Sequence, residues 1–355
     1  MHRSTDVSAR PLLIGGMHRS GTSLTASLVA SAGIDLGPEL LGANESNPLG
    51  HFEDLGFQDF HRRALTARGI SDEGYTATAR GDVPAALEPL ADELLAARMR
   101  RRTAWGWKEP RTTLFLDFWQ ERVPETRHLF IFRRPWEVAD SLFRRGDETF
   151  LVNPTFAFDV WTHYNRLILD FVRRHPTRCL VFEIQQLIAS PGRVFSTVRS
   201  KLDVPLGRPG RRYRDSHFHR DHGSMRAALV RAIAPDAWRV YLELRELAGL
   251  DDRVEAKTPS TASVGECAVL EWARASRAET ELRRQAAQQP PAEPRSRTVR
   301  SAFDVVHRVP GLVTSALAAV SRRLRPAGVP MDDHTAADVL EFPRAAAAPS
   351  TKRVA

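Results

Sequence analysis

A chain of 355 residues, 42% apolar and 26% charged, has ample length to bury a core and suggests about two domains. Its 51 Lys and Arg against 43 Asp and Glu leave a net charge of +8, which suits an anionic ligand, a membrane surface or a nucleic acid and does not choose among them. No basic run is interleaved with aromatics and no apolar stretch nears the ~20 residues that span a bilayer, so a nucleic-acid module and a transmembrane helix are excluded.

Residues 1–10 read as a flexible N-terminus without the apolar core of a signal peptide. The short apolar run Leu12 to Ile14 predicts a buried strand, broken by Gly15 and Gly16. A helical pattern opens at Thr22, with Leu24, Leu28 and Val29 on one face. Strand, glycine-rich turn and helix N-terminus make an anion site, because backbone N–H groups and the helix dipole converge there. The spacing Gly16-x4-Gly21 is that of a phosphate-binding loop. Thr22-Ser23, however, stands where a nucleoside triphosphatase carries Lys-Ser or Lys-Thr, and the basic residue sits inside the loop as Arg19. Such a loop is aimed at something other than the β- and γ-phosphates of ATP.

Gly33 to Gly50 reads as loop and delivers Asn47-Pro-Leu-Gly-His-Phe-Glu-Asp54, after which Leu55 to Leu65 predicts a helix. Ser71 to Val83 reads as a surface excursion, and Pro84 to Arg102 as a helix whose basic end suits its dipole. Thr103 to Trp107 predicts a strand, Lys108-Glu-Pro-Arg111 a turn, and Thr112 to Arg122 a helix with Leu114, Phe115, Phe118 and Trp119 inward. His128 to Phe132 is a buried strand, and Pro135 opens a helix to Arg145. Phe156 to Arg174 is a long helix, Cys179 to Phe182 a strand, and two helices fill Gln185 to Leu202. Arg208 to His222 is basic and histidine-rich, and Ser224 to Leu250 returns to helix. Strands alternating with helices predict an α/β fold, a parallel sheet covered on both faces with ligands at the carboxyl ends of its strands.

Composition changes near residue 255, which sets an expected functional domain at 11–255. Residues 256–298 read as a linker and a polar helix, with a Pro-rich spacer at 288–294. Residues 299–355 read as a basic amphipathic segment, Val299 to Arg325, broken at Pro310 and followed by a disordered tail. Peripheral contact with an anionic membrane is one expectation for that segment, and packing on the chain or a partner is another. The two cysteines, Cys179 and Cys267, lie far apart without metal spacing, which favours a reducing compartment and an expected cytoplasmic location.

Further positions carry chemistry. Arg133 ends a buried strand and Ser141 follows within the next helix, a cation and a hydroxyl suited to clamping a dianionic phosphate. Arg134 is as readily a solvated side chain, Arg144 and Arg145 serve the helix C-terminus, and Lys108 ends the strand expected beside the loop. Glu53 is the candidate base, with Asp54 or His51 as alternatives, although a carboxylate at a helix start also serves as a cap. His217, His219, Asp221 and His222 share no register that would converge them on a metal.

The run Arg19-Ser-Gly-Thr-Ser23 after an apolar strand resembles the 5′-phosphosulfate loop of the sulfotransferases, and Arg133-x-Pro-x-x-Val-x-x-Ser141 is similar to the motif that holds the 3′-phosphate of their donor. The resemblance spans about residues 11 to 250 and implies a bacterial-type sulfotransferase with a P-loop-like three-layer fold and a helical or disordered C-terminal extension. The donor it implies is 3′-phosphoadenosine 5′-phosphosulfate, bound by Arg19, Ser20, Gly21, Thr22, Ser23, Arg133 and Ser141. Trp-Lys108-Glu-Pro-Arg resembles the family's Lys-Asp-Pro segment, so Lys108 and Arg19 are expected to stabilise the transferring group, with Glu109 replacing Asp. Gly50-x-x-Glu53 resembles the loop that carries a base in bacterial and tyrosyl-protein members. Phe182-Glu183-Ile-Gln-Gln-Leu187 lacks the Asp of the family's Tyr-Glu-Asp-Leu, Glu183 is read as structural, and the usual Arg-Lys-Gly segment is missing. The implied reaction moves a sulfuryl group to a hydroxyl acceptor, a carbohydrate-containing molecule or other metabolite, without a metal. The alternatives are a P-loop kinase and a nucleotide-binding scaffold without catalysis.

Overall fold

The computed structural model describes residues 10–288 apart from 45–46, 48–49, 79–80, 102, 211–223 and 251–261. The readings made for Arg211 to His222, for residues 299–355 and for most of residues 1–10 therefore lie outside the described residues.

Four parallel strands form one sheet in the order β2-β1-β3-β4: β1 (Leu12–Gly15), β2 (Gly106–Lys108), β3 (Arg127–Phe132) and β4 (Cys179–Glu183). Leu12 pairs with Gly106 and Arg127, and Ile14 with Lys108 and Leu129, so the first strand occupies the interior of the sheet. Side chains alternate across the sheet plane. Leu13, Phe130 and Phe132 enter one apolar layer, while Leu12, Ile14, Leu129 and Ile131 enter the other.

The second layer is closed by α1 (Thr22–Ser31), α8 (Ile184–Ala189) and α9 (Pro191–Leu202). The first is larger. It gathers α2 (Leu55–Thr66), α3 (Glu88–Met99), α4 (Leu116–Arg122), α5 (Pro135–Arg145), α6 (Glu148–Val152), α7 (Phe156–Arg174), α10 (Ser224–Ile233), α11 (Pro235–Leu247) and α12 (Ala262–Gln288). The result is a three-layer α/β fold of the P-loop-like kind, with a parallel sheet between helices. Aromatic packing fixes the first layer: Trp107 stacks on Phe57 with ring centres 4.8 Å apart, and Phe57 and Phe60 both lie 5.1 Å from Trp119.

Several details differ from the sequence reading, among them the helix expected over Thr112 to Arg122, which is a 3-10 segment at Pro110–Phe115 followed by α4. Lys108 belongs to β2 rather than to the following turn, because it pairs with Ile14. The helix expected over Ser224 to Leu250 is two helices, since Pro235 has no N–H to continue the first and opens the second. Arg98, the basic residue in the last turn of α3, is buried and donates to the Asp35 and Gly106 carbonyls. The excursion at Ser71 to Val83 buries Tyr75 and Thr76. Among the described residues no helix is long and apolar enough to cross a membrane.

Candidate active site

The loop after β1 requires unusual backbone angles. Gly16 has φ 145°, and a Cβ there would collide with the Ile131 carbonyl on β3. Gly21, at φ 94°, is the N-cap of α1 and, having no side chain, leaves the first-turn amides without a side-chain cap from that position. Arg19 also lies in the left-handed region, at φ 66°. Ser20 is fully buried, and its Oγ has no hydrogen-bond partner among the described residues. A buried hydroxyl in a loop of this geometry suits an anionic oxygen.

Pairing of β2 with β1 sets Lys108 beside the loop. Its Nζ lies 2.7 Å from Glu53 Oε1, 3.1 Å from Ser23 Oγ and 3.2 Å from the His51 carbonyl oxygen. Lys108 is 1% and Glu53 5% exposed, so this is a buried ion pair beside the loop that follows β1. The other Glu53 oxygen accepts from Gln58 Nε2 at 2.9 Å. The neighbouring carboxylate has a different role: Asp54 caps α2, accepting from Gly56 N and Phe57 N at 2.9 and 3.4 Å. His51 Nδ1 stands 3.9 Å from Glu53, and burial lowers the imidazole pKa. Of the three candidates for the base, Glu53 alone presents its carboxylate to Lys108.

The Arg133–Ser141 motif meets the loop after β1 through Arg19. Arg19 Nε donates to Ser141 Oγ at 2.9 Å, joining side chains 122 positions apart. Burial, and then the guanidinium groups of Arg145 and Arg133, push the Arg19 pKa down to about 10. Arg133 is buried and donates through Nε to Glu137 Oε2 at 2.7 Å, while its carbonyl accepts from Trp161 Nε1. Arg134 is not a solvated side chain, since its Nε donates to the buried Glu183 at 3.1 Å, a carboxylate that also meets Tyr241 and Arg245. Arg145 leaves the end of α5 to hold Tyr75 Oη at 2.6 Å and Asp147 at 2.8 Å.

Three features have no sequence motif to announce them. His18, inside the loop, is buried against Tyr75 and Tyr164 with ring centres 5.5 and 6.3 Å away. Its Nε2 has no hydrogen-bond partner among the described residues, and burial, followed by the Arg111 charge, holds its pKa well below 6.5. Tyr75 reaches the loop because Arg111 Nε holds the Asp72 carbonyl at 2.6 Å and Tyr164 Oη donates to the Gly74 carbonyl at 2.8 Å. Glu109, next to Lys108, is fully buried between Arg111 Nη1 at 2.6 Å and His61 Nδ1 at 2.8 Å. Burial pushes the Glu109 pKa up, but Arg111 and His61 outweigh it and bring the value down to about 2. Trp119 Nε1 donates to His61 Nε2 at 2.9 Å, so the imidazole proton sits on Nδ1 and faces Glu109. Only the Tyr-and-Arg content of Ser71 to Val83 and Arg111 hinted at this framework. Among the described residues, no three His, Cys, Asp or Glu side chains are placed to hold a metal.

No protein-family model matches the chain, and no curated protein matches it. Among solved structures it is similar to the sulfotransferase domain of the Synechococcus PCC 7002 olefin synthase, at 20% identity over 79% of this chain and 96% of that one, with a TM-score of 0.38. It is similar also to the sulfotransferase domain from the curacin biosynthetic pathway (16% identity, 79% and 98% covered, TM-score 0.36). Sulfotransferase STF9 from Mycobacterium avium is a third (14% identity, 75% and 76% covered, TM-score 0.39). All three are distant in sequence and loose in superposition.

Proposed function

We propose that the chain is a sulfotransferase that moves a sulfuryl group from 3′-phosphoadenosine 5′-phosphosulfate to a hydroxyl acceptor, a carbohydrate-containing molecule or other metabolite. The observation that carries this reading is the hydrogen bond from Arg19 to Ser141, which links a phosphate loop lacking its lysine to a second cation-and-hydroxyl motif. A ligand with anionic groups at both ends of a nucleoside fits that pairing better than a linear triphosphate does. The buried Ser20 hydroxyl, without a hydrogen-bond partner among the described residues, fits the donor's 5′ end. Ser20, Gly21, Thr22 and Ser23 would hold that end, and Arg133 and Ser141 the 3′-phosphate.

The donor supplies an activated sulfuryl group whose leaving phosphate is weakly basic, so the chain's residues need only orient, take a proton and balance charge. Glu53 takes the acceptor proton as the oxygen–sulfur bond forms, the sulfur–oxygen bond to the phosphate breaks, and 3′-phosphoadenosine 5′-phosphate leaves. Lys108 and Arg19 offset charge on the sulfuryl and bridging oxygens. The Lys108–Glu53 pair couples these tasks: a proton on Glu53 cancels the partner charge of Lys108 and frees its ammonium for the leaving oxygen. A P-loop kinase has no observation in its favour, since Thr22 occupies the lysine position and the carboxylate ending β4, Glu183, is taken up by Arg134, Arg245 and Tyr241.

Turnover with labelled donor against a panel of hydroxyl acceptors tests the reading. Glu53→Gln should lower kcat by roughly 10²- to 10⁴-fold, the usual worth of a positioned base. Affinity for 3′-phosphoadenosine 5′-phosphate should stay within a few-fold. Full turnover in the variant would place the base elsewhere, and no transfer by the wild-type chain to any acceptor would favour a non-catalytic scaffold.

A further inference from the structure

One buried carboxylate beside the site has a role in none of the chemistry above. Asp140 is 4% exposed and lies on α5, one position before Ser141. Its Oδ1 accepts from Trp272 Nε1 and Ser276 Oγ of α12, each at 2.9 Å, and lies 3.0 Å from Arg226 Nη1 of α10. Its Oδ2 accepts from Arg144 Nε at 2.7 Å. Trp272 is seated between Phe143, edge-on at 5.3 Å, and the Arg226 guanidinium, 4.8 Å over its ring. Arg144 also reaches Glu279 of α12 at 3.3 Å. Four donors from three helices thus meet on one carboxylate.

Holding two helices together does not require such an arrangement. Apolar residues of similar volume stabilise a buried contact as well or better, whereas a satisfied ionic network fixes one geometry among several close-packed ones. What it fixes here is the rotation and axial position of α5. That helix starts at Pro135, with Arg134 as its N-cap and Arg133 just before it, and it carries Ser141, so both side chains of the 3′-phosphate clamp depend on its placement. Ser141 in turn accepts from Arg19 of the phosphate loop. We propose that Asp140, gripped by Trp272 and Ser276, is a positioning residue through which α12 sets the 3′-phosphate clamp. The inference rests on the nucleotide reading given above, and it makes a helix beyond the expected 11–255 boundary part of the binding machinery.

Ser276→Ala and Trp272→Phe each delete one donor to Asp140 while keeping charge and most packing. Dissociation constants for 3′-phosphoadenosine 5′-phosphate and for adenosine 5′-monophosphate, measured on the full chain with the thermal midpoint, give the test. Each variant should bind the bisphosphate roughly fivefold more weakly, about the worth of one hydrogen bond, with the monophosphate changed less than twofold. Ser276→Thr, which retains the hydroxyl, should restore the ratio, and it keeps the test open if Trp272→Phe folds poorly. An unchanged ratio of the two affinities in Ser276→Ala, whatever its midpoint, overturns the inference. A wild-type chain that does not prefer the bisphosphate contradicts the nucleotide reading instead, so the two failures are distinct.

Discussion

Lys108 and Glu53 are 55 positions apart, and their meeting explains why each residue stands where it does. The lysine is carried by β2 beside the loop, and the carboxylate stands immediately before Asp54, the N-cap of α2. The cationic side of the site is Arg19, Arg133 and Arg145, and burial, followed by the charges of Arg145 and Arg133, lowers the Arg19 pKa to about 10. Replacing Arg133 by Ala should therefore weaken 3′-phosphoadenosine 5′-phosphate by roughly 10- to 100-fold, the loss of one charge-assisted contact to a dianion. The same change should weaken adenosine 5′-phosphosulfate only a few-fold, and isothermal titration of both ligands checks the difference. Equal losses would reject the clamp. The motif residues were legible in the sequence because a glycine-rich loop and an Arg-x-Pro helix start depend on local chemistry. His18, Tyr75 and the Glu109–His61–Arg111 group were not, because what joins them is packing between α2, the turn after β2 and the segment at 71–76.

Elements read well where one period dominates. The bounds of α5 and α7 agree with the apolar spacing of Pro135 to Arg145 and Phe156 to Arg174, each with Pro or an aromatic at its start. The sheet strands are short and built around apolar runs such as Leu12 to Ile14 and Leu129 to Phe132, so their existence was legible but their order was not. Pairing of β1 between β2 and β3 depends on long-range contacts that no local pattern encodes. The helix at Pro84 to Arg102 was legible, yet the burial of Arg98 was not, since its partners are the carbonyls of Asp35 and Gly106 on other segments. At the start of α2, Asp54 accepts two backbone N–H groups, and Asp54→Ala should cost about 1 kcal/mol in denaturant unfolding. Because the same segment carries Glu53, kcat should fall as well, while a surface change such as Glu121→Gln should move neither quantity.

Across the whole molecule, burial of titrating groups gives stability a direction with pH. Burial forces the pKa of His128 down to about 3, and it lowers those of His18 and His51. An unfolded histidine titrates near 6.5, so below that pH the unfolded chain binds protons that the folded chain refuses, and stability falls as pH drops from ~6.5 toward ~3. Glu109, at about 2 when folded, acts in the same sense below the ordinary carboxylate range. Asp54 and Glu183 oppose this, because burial raises both and protonation favours their folded forms. The histidines act first on acidification. Unfolding free energy should be lower at pH 5 than at pH 7, and His128→Gln should shrink that difference by up to ~2 kcal/mol.

The central claim is that the loop around Arg19 holds one end of a nucleotide whose second phosphate is held by Arg133 and Ser141. Titration of the full chain with 3′-phosphoadenosine 5′-phosphate, with and without magnesium, and with Mg-ATP tests it most directly. Binding of the bisphosphate should be metal-independent and at least tenfold tighter than that of ATP. Preference for Mg-ATP would contradict it.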